Sequence, residues 1–283
     1  MTAQTASNAN SAESVAIPTS LASKDGTPIA YERIGNGPAL ILIDGALGFR
    51  SFGSSTHLAR LLAPRLTVFA YDRRGRGDSG DTPPVALDRE IEDIEALINR
   101  AGGRASLYGI SSGGALALEA AAALGDRVDR LALYEIPYDD TDGGVSAWRV
   151  YRTELGELLG AGRPGDAAEL FMRLVGASDE GVARMRAQPW WATFEAVAPT
   201  LAYDAAALGV DRTVPIQRAG SVTAPTLVMD GSASLDHMPF MRASAVTLCE
   251  AIPNAEHRVV EGQAHEIDVQ VLAPILAEFF GRP

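Results

Sequence analysis

The segment Gly109-Ile110-Ser111-Ser112-Gly113 sets a serine between two glycines, with the apolar run Ala105 to Gly109 before it and an alanine-rich helical stretch after it. A strand that runs into a helix through this pattern must turn sharply, and the turn thrusts the central side chain outward. Small residues at Gly109 and Gly113 let neighbouring backbone come close, while Ser111 itself takes the strain. A hydroxyl presented in this way suits nucleophilic attack on a carbonyl carbon, with a covalent intermediate. The helix that opens behind Ser111 aims free backbone N–H groups and the positive end of its dipole at the reacting oxygen. The Ser112 amide is therefore the first candidate donor to an oxyanion.

A serine needs a base. Where the nucleophile sits at such a strand-to-helix turn, the chain order is serine, acid, histidine, so the base belongs in the loop after the last strand. His265 lies there, following Val259-Val260-Glu261-Gly262-Gln263-Ala264, and an imidazole can take a proton at neutral pH. The other histidines read as surface or capping residues: His57 in an early helix, His237 at a helix start, and His257 just before the last strand.

The acid that orients the imidazole is commonly carried after the seventh strand as Gly-x-x-Asp. Here Gly231-Ser232-Ala233-Ser234 puts a serine in that slot, and a serine cannot offset an imidazolium. The sixth strand instead ends in Leu133-Tyr134-Glu135-Ile136-Pro137, which makes Glu135 the candidate acid at the same sheet edge. Asp236 is the runner-up and Asp230 the other rival. The second oxyanion donor is expected after the third strand, in Ile43-Asp44-Gly45-Ala46-Leu47-Gly48, from the amide of Gly45 or Ala46. Asp44 in this loop either binds a substrate hydroxyl or ties the loop down.

Arg73-Arg74-Gly75-Arg76, flanked by Asp72 and Asp78, reads as a charge-paired surface turn. It lacks the Gly-Lys-Ser/Thr of a nucleotide loop. His, Cys and carboxylates do not cluster at metal-ligand spacing. Neither a metal nor a cofactor is implied.

Elements that could position these residues follow from the hydrophobic pattern. Val15 to Leu21 and Ile29 to Ile34 straddle the turn Lys24-Asp25-Gly26-Thr27, which predicts an antiparallel hairpin. Six buried runs follow: Ala39 to Ile43, Leu66 to Tyr71, Ala105 to Gly109, Arg130 to Glu135, Thr226 to Met229 and Arg258 to Val260. Helical patterns alternate with them, one capped by Asp88 and ended by Gly102. This predicts an eight-stranded, mostly parallel α/β sheet covered on both faces. Residues 15–136 and 225–283 form the expected core. Residues 137–224 lose the strand pattern and carry helical stretches at Trp148 to Leu159 and Asp166 to Val175, so a helical lid is expected between strands six and seven. A last helix is expected to open near Pro274.

The chain has 283 residues, 47% of them hydrophobic, and a formal charge of −12. That is enough apolar material for one core with an insertion, and the acidic balance repels phosphate backbones and acidic membranes. Neither nucleic acid nor a membrane is an expected partner, while a homodimer is compatible with the sequence. One cysteine, Cys249, cannot form an internal disulfide and reads as a buried residue in a helix. Residues 1–14 read as a disordered tail with neither a basic nor an apolar leader region. A cytoplasmic protein is expected.

Taken with their order, these motifs resemble the α/β-hydrolase superfamily over nearly the whole chain. Within it they resemble the fungal and actinobacterial lactonases that open the macrocyclic mycotoxin zearalenone. The similarity lies in Asp44 to Gly48 with the pair Ser54-Ser55, in Gly-x-Ser-Ser-Gly, in Glu-x-Pro ending strand six, and in the missing acid after strand seven. It implies Glu135 as the acid. It also implies that a lid tryptophan of Gln188-Pro189-Trp190-Trp191 meets the substrate, either Trp190 or Trp191, against the alternative that both only pack the lid. The expected function is hydrolysis of a carboxylic ester, above all a lactone such as zearalenone, through an acyl-enzyme. Cleavage of a carbon–carbon bond in a diketone, and a ligand receptor using the same pocket, are the alternatives.

Overall fold

Along each central strand, successive apolar side chains alternate between two buried layers, which is why the strands read as continuous hydrophobic runs. In β3 (Ala39–Ile43), Ile41 and Ile43 face one layer and Leu40 and Leu42 the other. In β4 (Thr67–Tyr71), Phe69 and Tyr71 oppose Val68 and Ala70 in the same way. The computed structural model describes residues 19–282.

With β1 (Thr19–Ala22), β2 (Pro28–Ile34), β5 (Ala105–Ile110), β6 (Val128–Tyr134), β7 (Thr226–Gly231) and β8 (Ala255–Val260), these strands form one sheet of order β1-β2-β4-β3-β5-β6-β7-β8. β1 pairs antiparallel with β2 and β2 with β4; every other pairing is parallel. This is the expected eight-stranded, mostly parallel sheet. The helices α1 (Ser55–Leu62) and α11 (Val269–Phe280) bury Leu58, Leu62, Leu272, Leu276 and Phe279 on one face. On the other face, α2 (Leu87–Arg100), α3 (Ser112–Leu124) and α10 (Phe240–Ala251) bury Ile94, Leu97, Leu116 and Leu248.

Between β6 and β7 run six helices: α4 (Asp142–Gly160), α5 (Pro164–Leu174), α6 (Asp179–Arg186), α7 (Trp191–Val197), α8 (Leu201–Ala207) and α9 (Ile216–Ala219). Thr141 and Ser178 cap α4 and α6 by accepting the amides of Gly144 and Gly181. Among the described residues no helix is long and apolar enough to cross a membrane.

Several local expectations are corrected. The tail 1–14 and the predicted strand start at 15–18 lie outside the described residues, and β1 is described from Thr19. β8 begins at Ala255, so His257 is inside the strand rather than before it. The last helix opens at Val269, one turn and more before Pro274, because the Asp268 side chain accepts the Gln270 amide and caps it there. α2 likewise starts at Leu87, with Asp88 in its first turn rather than at the cap. Cys249 is only partly buried on α10.

Candidate active site

Ser111 caps α3 with φ +56° and ψ −132°, directly after β5. The crowding that the turn demands is visible at both glycines. A Cβ on Gly109 would stand 2.4 Å from the Gly113 carbonyl oxygen, and one on Gly113 would stand 2.4 Å from the carbonyl oxygens of Ile43 and Asp44. No side chain fits at either position. Among the described residues the non-glycine positions with positive φ are Leu47, Ser111, Glu135 and Arg212. Three of those four lie at the carboxyl edge of β3, β5 and β6, and such conformations cost about 1–3 kcal/mol each.

Glu135 follows the last residue of β6, with φ +45°, and its amide still donates to the Met229 carbonyl of β7 at 3.0 Å. Its carboxylate is buried and is held at both oxygens. Oε1 accepts the Gly231 amide at 2.9 Å, and Oε2 stands 2.9 Å from Nδ1 of His265. Burial alone would raise this carboxyl's pKa, but His265, the Ser234 hydroxyl and the Gly231 amide together outweigh it and hold the group below the ordinary glutamate range. Glu135 is therefore a carboxylate at neutral pH. Of its sequence rivals, Asp236 is exposed, and Asp230 is committed to His257 at 2.5 Å and to Arg242.

The loop that carries His265 is pinned three times. The Tyr134 hydroxyl donates to the Ala264 carbonyl at 2.7 Å, the Ala233 amide to the Gln263 carbonyl at 2.9 Å, and the Gly262 amide to the Ser232 hydroxyl at 2.8 Å. Gly231 must be glycine, because a Cβ there would meet the Gln263 carbonyl oxygen at 2.2 Å. The segment after β7 thus contributes backbone donors and a close approach in place of an acid. His265 is 30% exposed, and with Nδ1 against Glu135 its Nε2 is the nitrogen left for a substrate or for Ser111. Among the described residues no hydrogen bond joins that nitrogen to the Ser111 hydroxyl; such contacts commonly tighten only around a bound substrate.

Gly45 packs against Ser111, since a Cβ on it would meet the serine Cβ at 3.0 Å. The loop 44–48 therefore packs against the start of α3 beside the Ser111 side chain. Asp44 is buried, and its Oδ1 accepts the Ser55 hydroxyl while its Oδ2 has no partner among the described residues. Burial pushes this carboxyl up, against the Ser55 bond and the charges of Arg76 and Arg73. Both alternatives for Asp44 thus have a physical counterpart: one oxygen ties the loop to α1, the other is free.

The two tryptophans at the start of α7 differ. Trp191 is 3% exposed and packed in the core, whereas Trp190 is 37% exposed. Trp190 stands edge-on to Phe194 with ring centres 5.1 Å apart, and Phe194 meets Phe52 at 5.3 Å. An aromatic row thus links α7 to the segment beyond the 44–48 loop.

The arginine turn is corrected most sharply. Arg73, Arg74 and Arg76 are among the most buried side chains of the protein rather than a surface turn. Arg73 grips Glu90 through Nε and Nη2 at 2.7 and 2.8 Å, and its Nη1 donates to Asp204 at 2.6 Å and to the Asp44 carbonyl at 3.1 Å. Arg76 donates from Nη2 to Asp204 at 2.7 Å, and from Nη1 to the carbonyls of Gly45 at 2.5 Å and Gly48 at 3.2 Å. Asp204 also accepts the Ser112 hydroxyl at 2.8 Å. Burial would raise the Asp204 carboxyl, but Arg76 and Arg73 hold it below the ordinary range. Sequence reasoning missed Glu90 and Asp204. The available signal was a lone aspartate in the alanine-rich stretch Leu201 to Ala207, facing an unexplained excess of arginine.

Among the described residues no group of three or more His, Cys, Asp or Glu could hold a metal ion. What the arrangement can do chemically is activate a hydroxyl by an imidazole backed by a carboxylate, beside amides that can stabilise an oxyanion.

Comparison with known proteins agrees with this architecture. The sequence profile of the alpha/beta hydrolase family matches residues 42–269. An alpha/beta hydrolase from Sphaerobacter thermophilus is similar at 48% identity, over 93% of this chain and all of that one, with a TM-score of 0.82. A thermophilic esterase from Thermogutta terrifontis shares the fold at 22% identity, over 94% of this chain and 98% of that one, with a TM-score of 0.69. The enol-lactonase from Burkholderia xenovorans does so at 22% identity, over 93% of this chain and all of that one, with a TM-score of 0.63. No curated protein matches the chain.

Proposed function

This chain belongs to the alpha/beta hydrolase family, and from that premise we propose that it hydrolyses a carboxylic ester, within that class a lactone such as zearalenone, through an acyl-enzyme on Ser111. The observation that carries the reading is the paired carboxylate and imidazole, Glu135 Oε2 to His265 Nδ1 at 2.9 Å, at the same sheet edge as a serine at a strained strand-to-helix turn.

In this mechanism Ser111 Oγ attacks the ester carbonyl carbon while His265 Nε2 takes the serine proton. Glu135 keeps the remaining proton on Nδ1 and offsets the charge of the imidazolium. The tetrahedral oxygen is stabilised by the Ser112 amide and by that of Gly45 or Ala46. Collapse of the intermediate breaks the bond to the alkoxy oxygen, which leaves with the proton returned by His265. In a lactone the alcohol stays attached to the acyl chain. A water molecule, deprotonated by His265, then releases the hydroxy acid and restores Ser111.

The lactone part of the proposal rests on the resemblance and on two features of the site that accord with it: the acid stands after β6 rather than β7, and Asp44 engages Ser55. Trp190, exposed and continuous with Phe194 and Phe52, is the favoured lid contact for a ring-bearing substrate, with Trp191 given to packing. A cytoplasmic location is part of the same proposal.

The test is a panel of p-nitrophenyl esters, zearalenone and a vinylogous diketone, each offered to the wild type and to Ser111→Ala, with products read by mass spectrometry. Ring-opened zearalenone that appears with the wild type and not with Ser111→Ala is the expected result. Diketone cleavage without ester turnover would replace the proposal with a carbon–carbon hydrolase. Binding without any turnover would replace it with a receptor.

A further inference from the structure

The buried cluster at Arg73, Arg76 and Asp204 does more than close ion pairs. A peptide plane fixes the carbonyl of one residue antiparallel to the amide of the next. Arg73 holds the Asp44 carbonyl, which shares its plane with the Gly45 amide. Arg76 holds the Gly45 carbonyl, which shares its plane with the Ala46 amide. Each guanidinium is therefore clamped to the back of one of the two candidate oxyanion donors. The loop lies outside the strand ladder; the Asp44 carboxylate ties its start to Ser55, while its own bond from the Gly48 amide to the Gly45 carbonyl is long, at 3.3 Å.

Two guanidiniums this close repel one another, and Asp204 is what bridges them, one oxygen to each. Its Oδ1 also takes the hydroxyl of Ser112, the residue whose amide is the first candidate donor. Asp204 lies on α8, and Thr200, four residues earlier and so on the same side of the turn, accepts Arg76 Nε at 3.0 Å. The Asp204 carboxylate and the Thr200 hydroxyl thus reach the two guanidiniums that hold the loop carbonyls, and Asp204 also reaches the side chain of Ser112. Net stability is a weak reason for such a cluster, because replacing buried ion pairs by apolar side chains is often neutral or stabilising.

We infer that Asp204 is a positioning residue through which the inserted helices set the oxyanion amides: its carboxylate holds Arg73, Arg76 and Ser112 so that the Ser112 N–H and that of Gly45 or Ala46 point at one oxygen. The inference rests on Ser111 being the nucleophile. It has a consequence for the fold, because the site is competent only while α8 is seated on the arginine turn, so docking of the insertion and catalysis are one event. A cation on a carbonyl oxygen also polarises the peptide and strengthens its N–H as a donor.

The test compares the full-length wild type, Asp204→Asn and Arg76→Lys. It measures steady-state hydrolysis of p-nitrophenyl butyrate and inhibition by an alkyl trifluoromethyl ketone, whose tetrahedral adduct carries an oxyanion. Deleting one oxyanion donor outright costs about 10²–10³ in kcat, so misaligning the set should cost about 10- to 100-fold. The expected result is that kcat falls by that amount with KM within about twofold, and that the inhibitor weakens in parallel with kcat. Arg76→Lys keeps a cation for Asp204 but cannot hold the Gly45 carbonyl as well. It should show the same parallel loss, and it carries the test if Asp204→Asn does not fold. A folded Asp204→Asn with kcat preserved overturns the inference, and so does a fall in kcat with unchanged inhibitor affinity. These failures are separate from failure of the nucleophile assignment, which alone would leave ester turnover in Ser111→Ala.

Discussion

Glu135→Gln removes one charge and changes almost no volume, and the surroundings dictate how the amide must lie. Oε1 of the native carboxylate accepts the Gly231 amide at 2.9 Å and Oε2 faces His265 Nδ1 at 2.9 Å. If the glutamine oxygen keeps the Gly231 amide, its NH2 group faces Nδ1 and forces that nitrogen to accept. The proton then sits on Nε2, and the imidazole cannot take one from Ser111. If the amide is flipped, its NH2 meets the Gly231 N–H and leaves buried donors unpaired, at about 1–3 kcal/mol. In either orientation the charge that offsets the imidazolium is gone, a further loss of about 1.5–3 kcal/mol for a charge-assisted bond. Together these give roughly 2.5–6 kcal/mol, or about 10²–10⁴ in kcat at about 1.36 kcal/mol per decade. The upper end is close to the ~10⁴ that the analogous aspartate-to-asparagine change costs in the serine-protease template. The assay is p-nitrophenyl ester turnover at saturating substrate, with thermal melting to show that the variant folds, and with Asp236→Asn and Asp230→Asn beside it. Loss should appear in kcat with KM little changed, because the missing interaction belongs to the transition state. A folded Glu135→Gln within tenfold of the wild type, with Asp236→Asn crippled, would refute the assignment and move the acid to the segment after β7.

Acid should act on stability through the same carboxylate. The folded Glu135 carboxyl is held below its ordinary value, so its contribution is complete above the unfolded value of about 4.3 and is lost as pH falls through the depressed folded value. Urea midpoints taken from pH 7 to pH 3 should therefore drop more steeply for the wild type than for Glu135→Gln, and parallel curves would contradict this. Gly113→Ala places a Cβ 2.4 Å from the Ile43 and Asp44 carbonyl oxygens, and overpacking of this kind should cost about 1–3 kcal/mol, or about 2–10 °C in Tm. Gly143→Ala, in α4 with nothing within 4 Å of its Cβ position, should melt at the wild-type temperature or above it, and equal melting of the two variants would show that crowding at Gly113 is unimportant.

The strand-to-helix turn at Ser111 was legible because it is local: five residues, one strand before them and one helix after them. The sheet was legible because apolar alternation on two buried faces leaves a dense pattern in β3 to β7. The contact of Glu135 with His265 joins residues 130 apart in the chain, yet it could be anticipated from strand ends alone. Parallel strands bring all their carboxyl ends to one edge, so few carboxylates were eligible once Ser234 stood where an aspartate is usual.

The arginine turn was illegible for the opposite reason. Asp72 and Asp78 flank it in sequence, but in the structure both are bound to Arg50. The true acidic partners of Arg73 and Arg74, namely Glu90, Asp93, Asp25 and Asp204, stand 17, 19, 49 and 131 residues away. Local charge patterning favours the nearest acid, and nothing in the spacing says that a guanidinium is fully buried. The start of α11 failed on a smaller scale, where Pro274 outweighed the cap at Asp268 in a pattern that either could have opened.

The features that defeated sequence reading share a location with the proposed active site. Leu47, Ser111 and Glu135 hold positive φ at the carboxyl edge, and the buried arginines face that same edge. Neither strain nor buried charge is what propensity and periodicity would choose, and both persist only where the surrounding structure over-determines them. Here it does so twice. From below, Gly109, Gly113 and Gly231 admit backbone so close that no side chain fits. From above, Asp204 and Thr200 of the inserted helices hold the guanidiniums that bond the carbonyls of the 44–48 loop. A relative that changed its insertion would have to replace those two acceptors or lose the orientation of the loop. The same contacts that leave the insertion free to vary elsewhere should therefore keep its α8 segment tied to the arginine turn.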